Sequence, residues 1–157
     1  MERLMRRCLL SVSLLGLALS AFAGDYLLPL EGRQEFSVTI NARGAELTGI
    51  CIVKTDETGT KGAVVNEFGV HALDFTLTAD RQKVKLLNVM PAMNRWYVRR
   101  VVRKDLKYLF SATEHRQSKG PRKVVSEADG SVTLENTRYK LTYSFKPIKQ
   151  EENEITQ

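Results

Sequence analysis

The sequence predicts an α+β fold, in which one long amphipathic helix covers the concave face of a curved antiparallel sheet, an open half-barrel. Three observations lead to this prediction. Much of the chain alternates apolar and polar residues with the period of two that half-buried strands show. Residues 91–110 have the period of a helix instead. Short turns join the predicted strands, which favours antiparallel pairing.

Strands are predicted on both sides of the helical segment. The inward-facing sets of the earlier strands are Phe36, Val38 and Ile40, and then Leu73, Phe75 and Leu77. Residues 49–53 are apolar at both parities, which predicts a strand covered on both faces. Residues 123–127 and 131–136 flank Asp129-Gly130, a typical hairpin turn. Alternation continues near the C-terminus at Tyr139, Leu141, Tyr143 and Phe145.

The predicted helix has two sharply different faces, with Pro91 or Asn94 near its start. An apolar half of the wheel is predicted to face the sheet, and most of the other half is basic. The apolar half contains Tyr97, Val98, Val101, Val102, Leu106, Tyr108 and Leu109, and the basic half contains Arg99, Arg100, Arg103, Lys104 and Lys107.

Two residues depart from this division of the helix. Trp96 falls within the basic half, and an indole among cations favours contact with lipid headgroups or another anionic ligand. The alternative is a solvated face on which Trp96 packs against a neighbouring loop. Asp105 falls near the centre of the apolar half. A buried carboxylate there needs a partner, such as His71 or an arginine, unless Asp105 lies at a boundary with solvent.

The N-terminus has the pattern of a secretory signal peptide. Arg3, Arg6 and Arg7 precede an apolar run, and residues 21–23 form a small-x-small cleavage pattern. We therefore expect export to the periplasm, with signal peptide 1–23, a single domain at 24–149 and a polar tail at 150–157. Removing three arginines and Glu2 from the 24 basic and 18 acidic residues leaves a net charge of +4.

A candidate catalytic group consists of Glu67, His71 and Asp74, which fall within eight residues. On a helix, Glu67 and His71 would share a face with a spacing that binds metal. The local composition is strand-like, however, so alternation turns His71 inward with Leu73 and Asp74 outward, and the three diverge. A histidine hydrogen-bonded in the interior or at its rim is the plainer interpretation. The remaining thiol, Cys51, is expected to be an unreactive core residue.

The strand at 49–54, the Asn66-Glu67-Phe68-Gly69 turn, the Leu73-Asp74-Phe75 strand and the Lys104-Asp105-Leu106 helix resemble a group of uncharacterised exported bacterial proteins. Their layout is similar to the lipoprotein-carrier fold of the Lol pathway, a half-barrel with a helical lid and a hollow for acyl chains. The resemblance implies this fold and this ligand class, and it assigns no catalytic residue. The chain differs from the carriers in having fewer predicted strands and lid helices.

These observations predict a non-enzymatic lipid-binding or lipoprotein-carrier-like protein of the cell envelope, without cofactor or metal. The alternative is a small assembly module that docks onto an outer-membrane protein complex. Nucleic acid is not an expected partner, because the net charge is modest and no basic strand carries interleaved aromatics. The predicted acyl-chain contacts are Phe75, Leu77, Val98, Val102, Leu106 and Leu109. The predicted membrane or headgroup contacts are Trp96, Arg99, Arg100, Arg103, Lys104 and Lys107.

Overall fold

The computed structural model describes residues 25–149. The predicted signal peptide 1–23 and the polar tail 150–157 lie outside the described residues. Between residues 25 and 149 the chain forms nine strands, one α-helix and a short 3-10 turn at Pro91–Met93. The strands are β1 Arg33–Ala42, β2 Ala45–Asp56, β3 Gly59–Asn66, β4 His71–Thr78, β5 Val84–Val89, β6 Ser118–Lys119, β7 Arg122–Ser126, β8 Val132–Asn136 and β9 Leu141–Pro147, and helix α1 is Trp96–Ser111.

All nine strands belong to one antiparallel sheet with the order β5-β4-β3-β2-β1-β9-β8-β7-β6. The predicted α+β class and the antiparallel sheet are therefore confirmed. The sheet is open, with β5 at one edge and β6 at the other. The strands that follow α1 do not extend the β5 edge. They pair instead on the free side of β1, where Ala42 lies opposite Leu141.

Alternation predicted the buried face of most strands correctly. Phe36, Val38 and Ile40 are buried on β1, and Tyr143 and Phe145 are buried on β9. The predicted hairpin around Asp129-Gly130 is also present, as the β7–β8 pair. Its turn is held by Asp129, whose Oδ1 accepts the backbone N–H of Ser131 at 2.9 Å.

The prediction that residues 49–53 are covered on both faces is wrong. Cys51 and Val53 on β2 are fully buried, but Ile50 is 43% exposed. The outer face of β2 therefore remains open in the described part of the chain. An antiparallel sheet with one packed face tolerates such apolar residues on its open side, so apolarity at both parities does not require two covered faces.

The helix begins later than predicted. Residues Pro91–Met93 form the 3-10 turn, closed by the backbone N–H of Asn94, which donates to the Pro91 carbonyl at 3.2 Å. Arg95 is extended (φ −108°, ψ 142°) and is the N-cap of α1. Pro91 thus starts a separate turn, because an extended residue interrupts the helical hydrogen bonding after it.

Aromatic side chains join the C-terminal half of α1 to the sheet. Phe110 stacks on Phe75 of β4 with ring centroids 5.3 Å apart. The ring of Phe110 also makes an edge-to-face contact with Phe145 of β9, with centroids 5.7 Å apart. Gly62 of β3 lies opposite Phe75, and a Cβ there would overlap the Phe75 ring. Glycine is therefore needed at position 62 to accommodate this ring.

Arg81, in the β4–β5 turn, connects the chain before β1 to the end of α1. Its Nη1 donates to the carbonyl of Leu28 at 2.8 Å and to that of Phe110 at 3.0 Å. Its guanidinium also lies 3.9 Å from the centre of the Tyr26 ring. A cation among the last carbonyls of a helix interacts favourably with the helix dipole, so Arg81 stabilises this end of α1.

Candidate functional site

A groove of about 710 Å³ opens between the N-terminal half of α1 and the sheet, and we call it the α1 groove. Its walls come from the 3-10 turn, α1, the end of β1, β4, β9 and the β8–β9 turn. The lining residues are Ile40, Ala42, Arg43, Leu73, Ala92, Met93, Trp96, Tyr97, Val98, Arg100, Val101, Val102, Lys104, Arg138, Tyr139, Leu141 and Tyr143.

The lining of the α1 groove combines an apolar surface with positive charge. The charged residues of the lining are Arg43, Arg100, Lys104 and Arg138, and no aspartate or glutamate is among them. The remaining side chains are aliphatic, methionine or aromatic. This combination is complementary to a molecule with an apolar body and an anionic end.

The predicted acyl-chain contacts fall in two places. Val98 and Val102 line the α1 groove. The other four, Phe75, Leu77, Leu106 and Leu109, are at most 2% exposed and belong to the packed core. The apolar face of the helix is continuous in sequence, so its pattern could not separate the half over the groove from the half over the core.

The predicted headgroup contacts also divide. Trp96, which is 75% exposed, lines the α1 groove together with Arg100 and Lys104. Arg99 is already engaged, because its Nη1 donates to Asn94 at 3.0 Å and its Nη2 to the Leu86 carbonyl of β5 at 3.1 Å. The remaining two, Arg103 and Lys107, line a separate hollow of about 540 Å³ with Lys83, Lys85 and Lys104.

The side chain of Asp105, on α1, is fully buried. Its partner is an arginine, one of the two kinds of partner that the sequence analysis considered. Arg122 of β7 donates from Nε to Oδ1 at 2.6 Å. The side-chain amide of Asn136 on β8 donates to both carboxylate oxygens, at 2.9 and 3.0 Å. The carboxylate is thus hydrogen-bonded on both oxygens, which buried ionised groups require. Through Asp105, Arg122 and Asn136 connect α1 to the strands β7 and β8.

The hydroxyl of Tyr143 lies next to this cluster. Burial, and then the negative charge of Asp105, raise the pKa of Tyr143 well above its usual value. Within residues 25–149 the hydroxyl has no hydrogen-bond partner of acceptable geometry. Tyr143 is also part of the α1 groove lining, so this residue lies between the groove and the polar cluster.

His71 lies at the surface, unlike the inward orientation that strict alternation predicts. Its side chain is 63% exposed, and its Nδ1 is 3.2 Å from Oδ1 of Asp74. The reason is a register shift in the β3–β4 pair, where Val64 faces Leu73 but Val65 faces His71. The extra residue reverses the side on which His71 emerges.

This arrangement brings His71 and Asp74 together, whereas the sequence interpretation separated them. Oδ2 of Asp74 also accepts from the side-chain amide of Asn88 at 2.7 Å. Glu67 is exposed in the β3–β4 turn. The His71–Asp74 pair lies on an open strand surface and does not line the α1 groove.

The described residues include neither a metal-ligand cluster nor a reactive thiol. In residues 25–149, no group of three or more His, Cys, Asp or Glu side chains is arranged to hold a metal ion. Cys51 is fully buried, and burial raises the pKa of its thiol to about 12. A thiol with such a pKa is protonated at neutral pH and is a poor nucleophile.

Arg43 and Arg138 are site residues that the sequence did not single out, and Tyr139 is a third, which alternation placed in a strand rather than in a site. Arg43 follows β1, and the other two lie in the turn between β8 and β9. Their only sequence signal is a basic or aromatic side chain. The predicted inward orientation of Tyr139 is wrong, because this residue precedes the last strand in a turn and is 37% exposed. The pairing of β1 with β9 brings the two turns together, and this long-range pairing is not visible in local patterns.

None of the helices within residues 25–149 has the length and apolarity needed to span a bilayer. Comparison with protein-family models finds no match to this chain, and a search of curated proteins finds none either.

Proposed function

We propose that this protein binds a lipid, or the acyl chains of a lipoprotein, in the α1 groove, without catalysing a reaction, as an exported protein of the periplasm. The observation that carries the proposal is an apolar groove with four cations and no carboxylate in its lining. Its volume of about 710 Å³ falls within the usual range of small-molecule sites. The export part of the proposal rests on residues 1–23.

The proposal includes a half-barrel shape in which α1 lies over the concave face of the sheet. Helix α1 contacts β5, which is one end of the strand order, and it also contacts β7 and β8, which lie near the other end. In a flat sheet, the seven steps from β5 to β7 would span roughly 34 Å at about 4.8 Å per step. At about 1.5 Å per residue the 16-residue helix is about 24 Å long, which is shorter than this span even for a helix lying across the strands. Curvature of the sheet accounts for contacts of one helix with both ends.

The acyl chains are proposed to enter only the N-terminal half of the space under α1. Phe75, Phe110 and Phe145 fill the C-terminal half with mutual ring contacts. Val98 and Val102 face the open part. This restricts the predicted acyl-chain contacts on α1 to Val98 and Val102, and it adds Ile40 and Leu141 from the sheet. The resemblance to lipoprotein carriers agrees with this ligand class by analogy only.

Val98→Glu tests the proposal. A carboxylate in the apolar wall of the α1 groove removes a favourable contact and introduces a charge that an acyl chain cannot solvate. We expect binding of oleoyl lysophosphatidylglycerol, measured by native mass spectrometry of the detergent-free protein, to fall at least about tenfold, since a loss of about 1.4 kcal/mol has that effect.

Val125→Glu is the matched control, because Val125 is 44% exposed on β7 and does not line the groove. It should bind the lysolipid as the unmodified protein does. A protein that binds no lysolipid would overturn the proposal, and so would equal binding by the two variants.

We also propose a second candidate, docking onto a protein of the outer membrane, which the β3–β4 turn favours. Phe68 is 80% exposed at its tip, and Val70 is 52% exposed. The turn is ordered by Asn66, whose Oδ1 accepts the backbone N–H of Phe68 at 3.0 Å and of Val70 at 2.8 Å. An aromatic side chain that an ordered turn exposes to solvent is typical of a residue that contacts a partner protein.

Phe68→Ser separates this candidate from lipid binding. We expect a protein partner captured from an envelope extract to be lost at least about tenfold, while lysolipid binding in the α1 groove is unchanged, because the turn is not part of the groove. Leu87→Ser, at a 46% exposed position on β5, is the control. Capture that does not depend on Phe68 would contradict the docking role of this turn.

A further inference from the structure

We infer that the two turns at the mouth of the α1 groove form an anion-binding site, so that the ligand is an amphiphile with an anionic phosphate-ester headgroup. The inference rests on the proposed function and deepens it. The site is formed by the turn after β1, at Arg43-Gly44, and by the β8–β9 turn, residues 137–140. We call it the turn site.

The sheet holds these two turns next to each other. The β1–β9 pairing ends at Ala42 opposite Leu141, so the chain leaves both strands at the same place. The backbone N–H of Arg43 donates to the Lys140 carbonyl at 3.4 Å. Both residues are left-handed, with φ of 49° and 53°. Non-glycine residues adopt this conformation with strain, and here it occurs at two neighbouring cations.

The turn site continues the α1 groove. A hollow of about 670 Å³ is lined by Asn41, Arg43, Gly44, Arg138 and Lys140. Arg43 and Arg138 also line the α1 groove. An acyl chain lying along Val98 and Val102 therefore has a polar, cationic hollow at the end of the groove, in the place where a headgroup would emerge.

The charge of the combined site is positive. Its cations are Arg43, Arg100, Lys104, Arg138 and Lys140, and neither the groove nor the hollow is lined by a carboxylate. Within residues 25–149, none of the five forms a salt bridge. Their charge is thus uncompensated by the described part of the protein. The planar fork of an arginine also fits the oxygens of a phosphate better than the point charge of a lysine.

The test compares two single-chain lipids that share one acyl chain. Oleoyl lysophosphatidylglycerol carries an anionic phosphodiester, and monooleoylglycerol is uncharged and has no phosphate. Both are titrated below their critical aggregation concentrations against the chain that lacks residues 1–23. We expect the anionic lipid to bind roughly tenfold more tightly, as one additional charge-assisted contact implies. The difference should shrink as salt is added.

Arg138→Gln and Arg43→Gln locate the effect. Each should weaken binding of the anionic lipid roughly tenfold and leave the uncharged lipid nearly unchanged. Lys61→Gln, at an exposed position of β3 outside both linings, is the control and should change neither. Unchanged thermal midpoints show that the variants fold. Because Arg43 has a left-handed backbone, Arg138→Gln carries the test if Arg43→Gln does not fold.

The outcomes separate the inference from the proposed function. If both lipids bind with equal affinity and the arginine variants change nothing, the turn site is overturned and acyl binding in the groove stands. If neither lipid binds, the proposed function itself fails. If the anionic lipid binds more tightly but Lys61→Gln weakens it as much as Arg138→Gln, the effect is due to net charge and the turn site is again overturned.

Discussion

Asp105 places a negative charge in the interior of the protein, where ionised groups are strongly disfavoured unless they are paired. The cluster joins three separate elements, because Asp105 is on α1 and its partners Arg122 and Asn136 are on β7 and β8. The Arg122 side chain remains 20% exposed, so solvent still stabilises part of its charge. Burial therefore costs more desolvation free energy for the Asp105 carboxylate than for the Arg122 guanidinium.

Asp105→Ala should destabilise the protein by about 3 kcal/mol, because it leaves the largely buried Arg122 and the fully buried Asn136 without their acceptor. The free energy of unfolding from urea titration measures this. Glu35→Ala removes a pair with Arg33, whose side chain is 58% exposed, and should cost less than about 1 kcal/mol. Equal losses in the two variants would show that the Asp105 cluster contributes no more than a surface pair.

Among the elements, helix α1 has a charge distribution that opposes its own dipole. Its first turn contains no acidic residue and its last turn no basic one. Arg95 at the N-cap makes no side-chain capping hydrogen bond, and Arg99 and Arg100 follow within the first five residues. Cations at a helix N-terminus are unfavourable. These charges therefore do not serve helix stability. Of the three, only Arg100 lines the α1 groove, where its charge agrees with the proposed anionic ligand.

Arg95→Asp should raise the free energy of unfolding by about 1 kcal/mol, because aspartate accepts a backbone N–H at the N-cap and interacts favourably with the helix dipole. The extended backbone of Arg95 already suits this cap. Urea titration provides the measurement.

Arg95→Ala is the control for charge alone, and it should recover only a few tenths of a kcal/mol. Arg95 does not line the α1 groove, so lysolipid binding should persist in both variants. A decrease in stability for Arg95→Asp would mean that the N-terminal cations are needed for the fold.

At the scale of the whole molecule, the sheet is assembled in two parts around β1. Strands β2 to β5 extend from one side of β1 in chain order, and β9 to β6 extend from the other side in reverse order. Helix α1 connects the two outer ends of the sheet, and its contacts with β5, β7 and β8 follow from this connection. The turn after β1 and the β8–β9 turn meet at the centre of the sheet, beside the α1 groove.

The sequence alone determined the α+β class with its antiparallel sheet, the buried faces of β1 and β9, the β7–β8 hairpin and the two-faced helix. These features depend on neighbouring residues and on the periods of strand and helix, which are local properties. The need of Asp105 for a partner was also predictable, since a carboxylate on an apolar helix face requires one.

Only the tertiary structure decided which strands pair across the chain, and therefore which residues share a site. The register shift that turns His71 outward adds one residue without leaving a mark in the apolar pattern. Arg43 lies close to Arg138 because β1 pairs with β9, and these two strands are about a hundred residues apart in the chain. The space under α1 is open at one end and filled at the other because Phe75, Phe110 and Phe145 meet there, and such packing is a property of the assembled core.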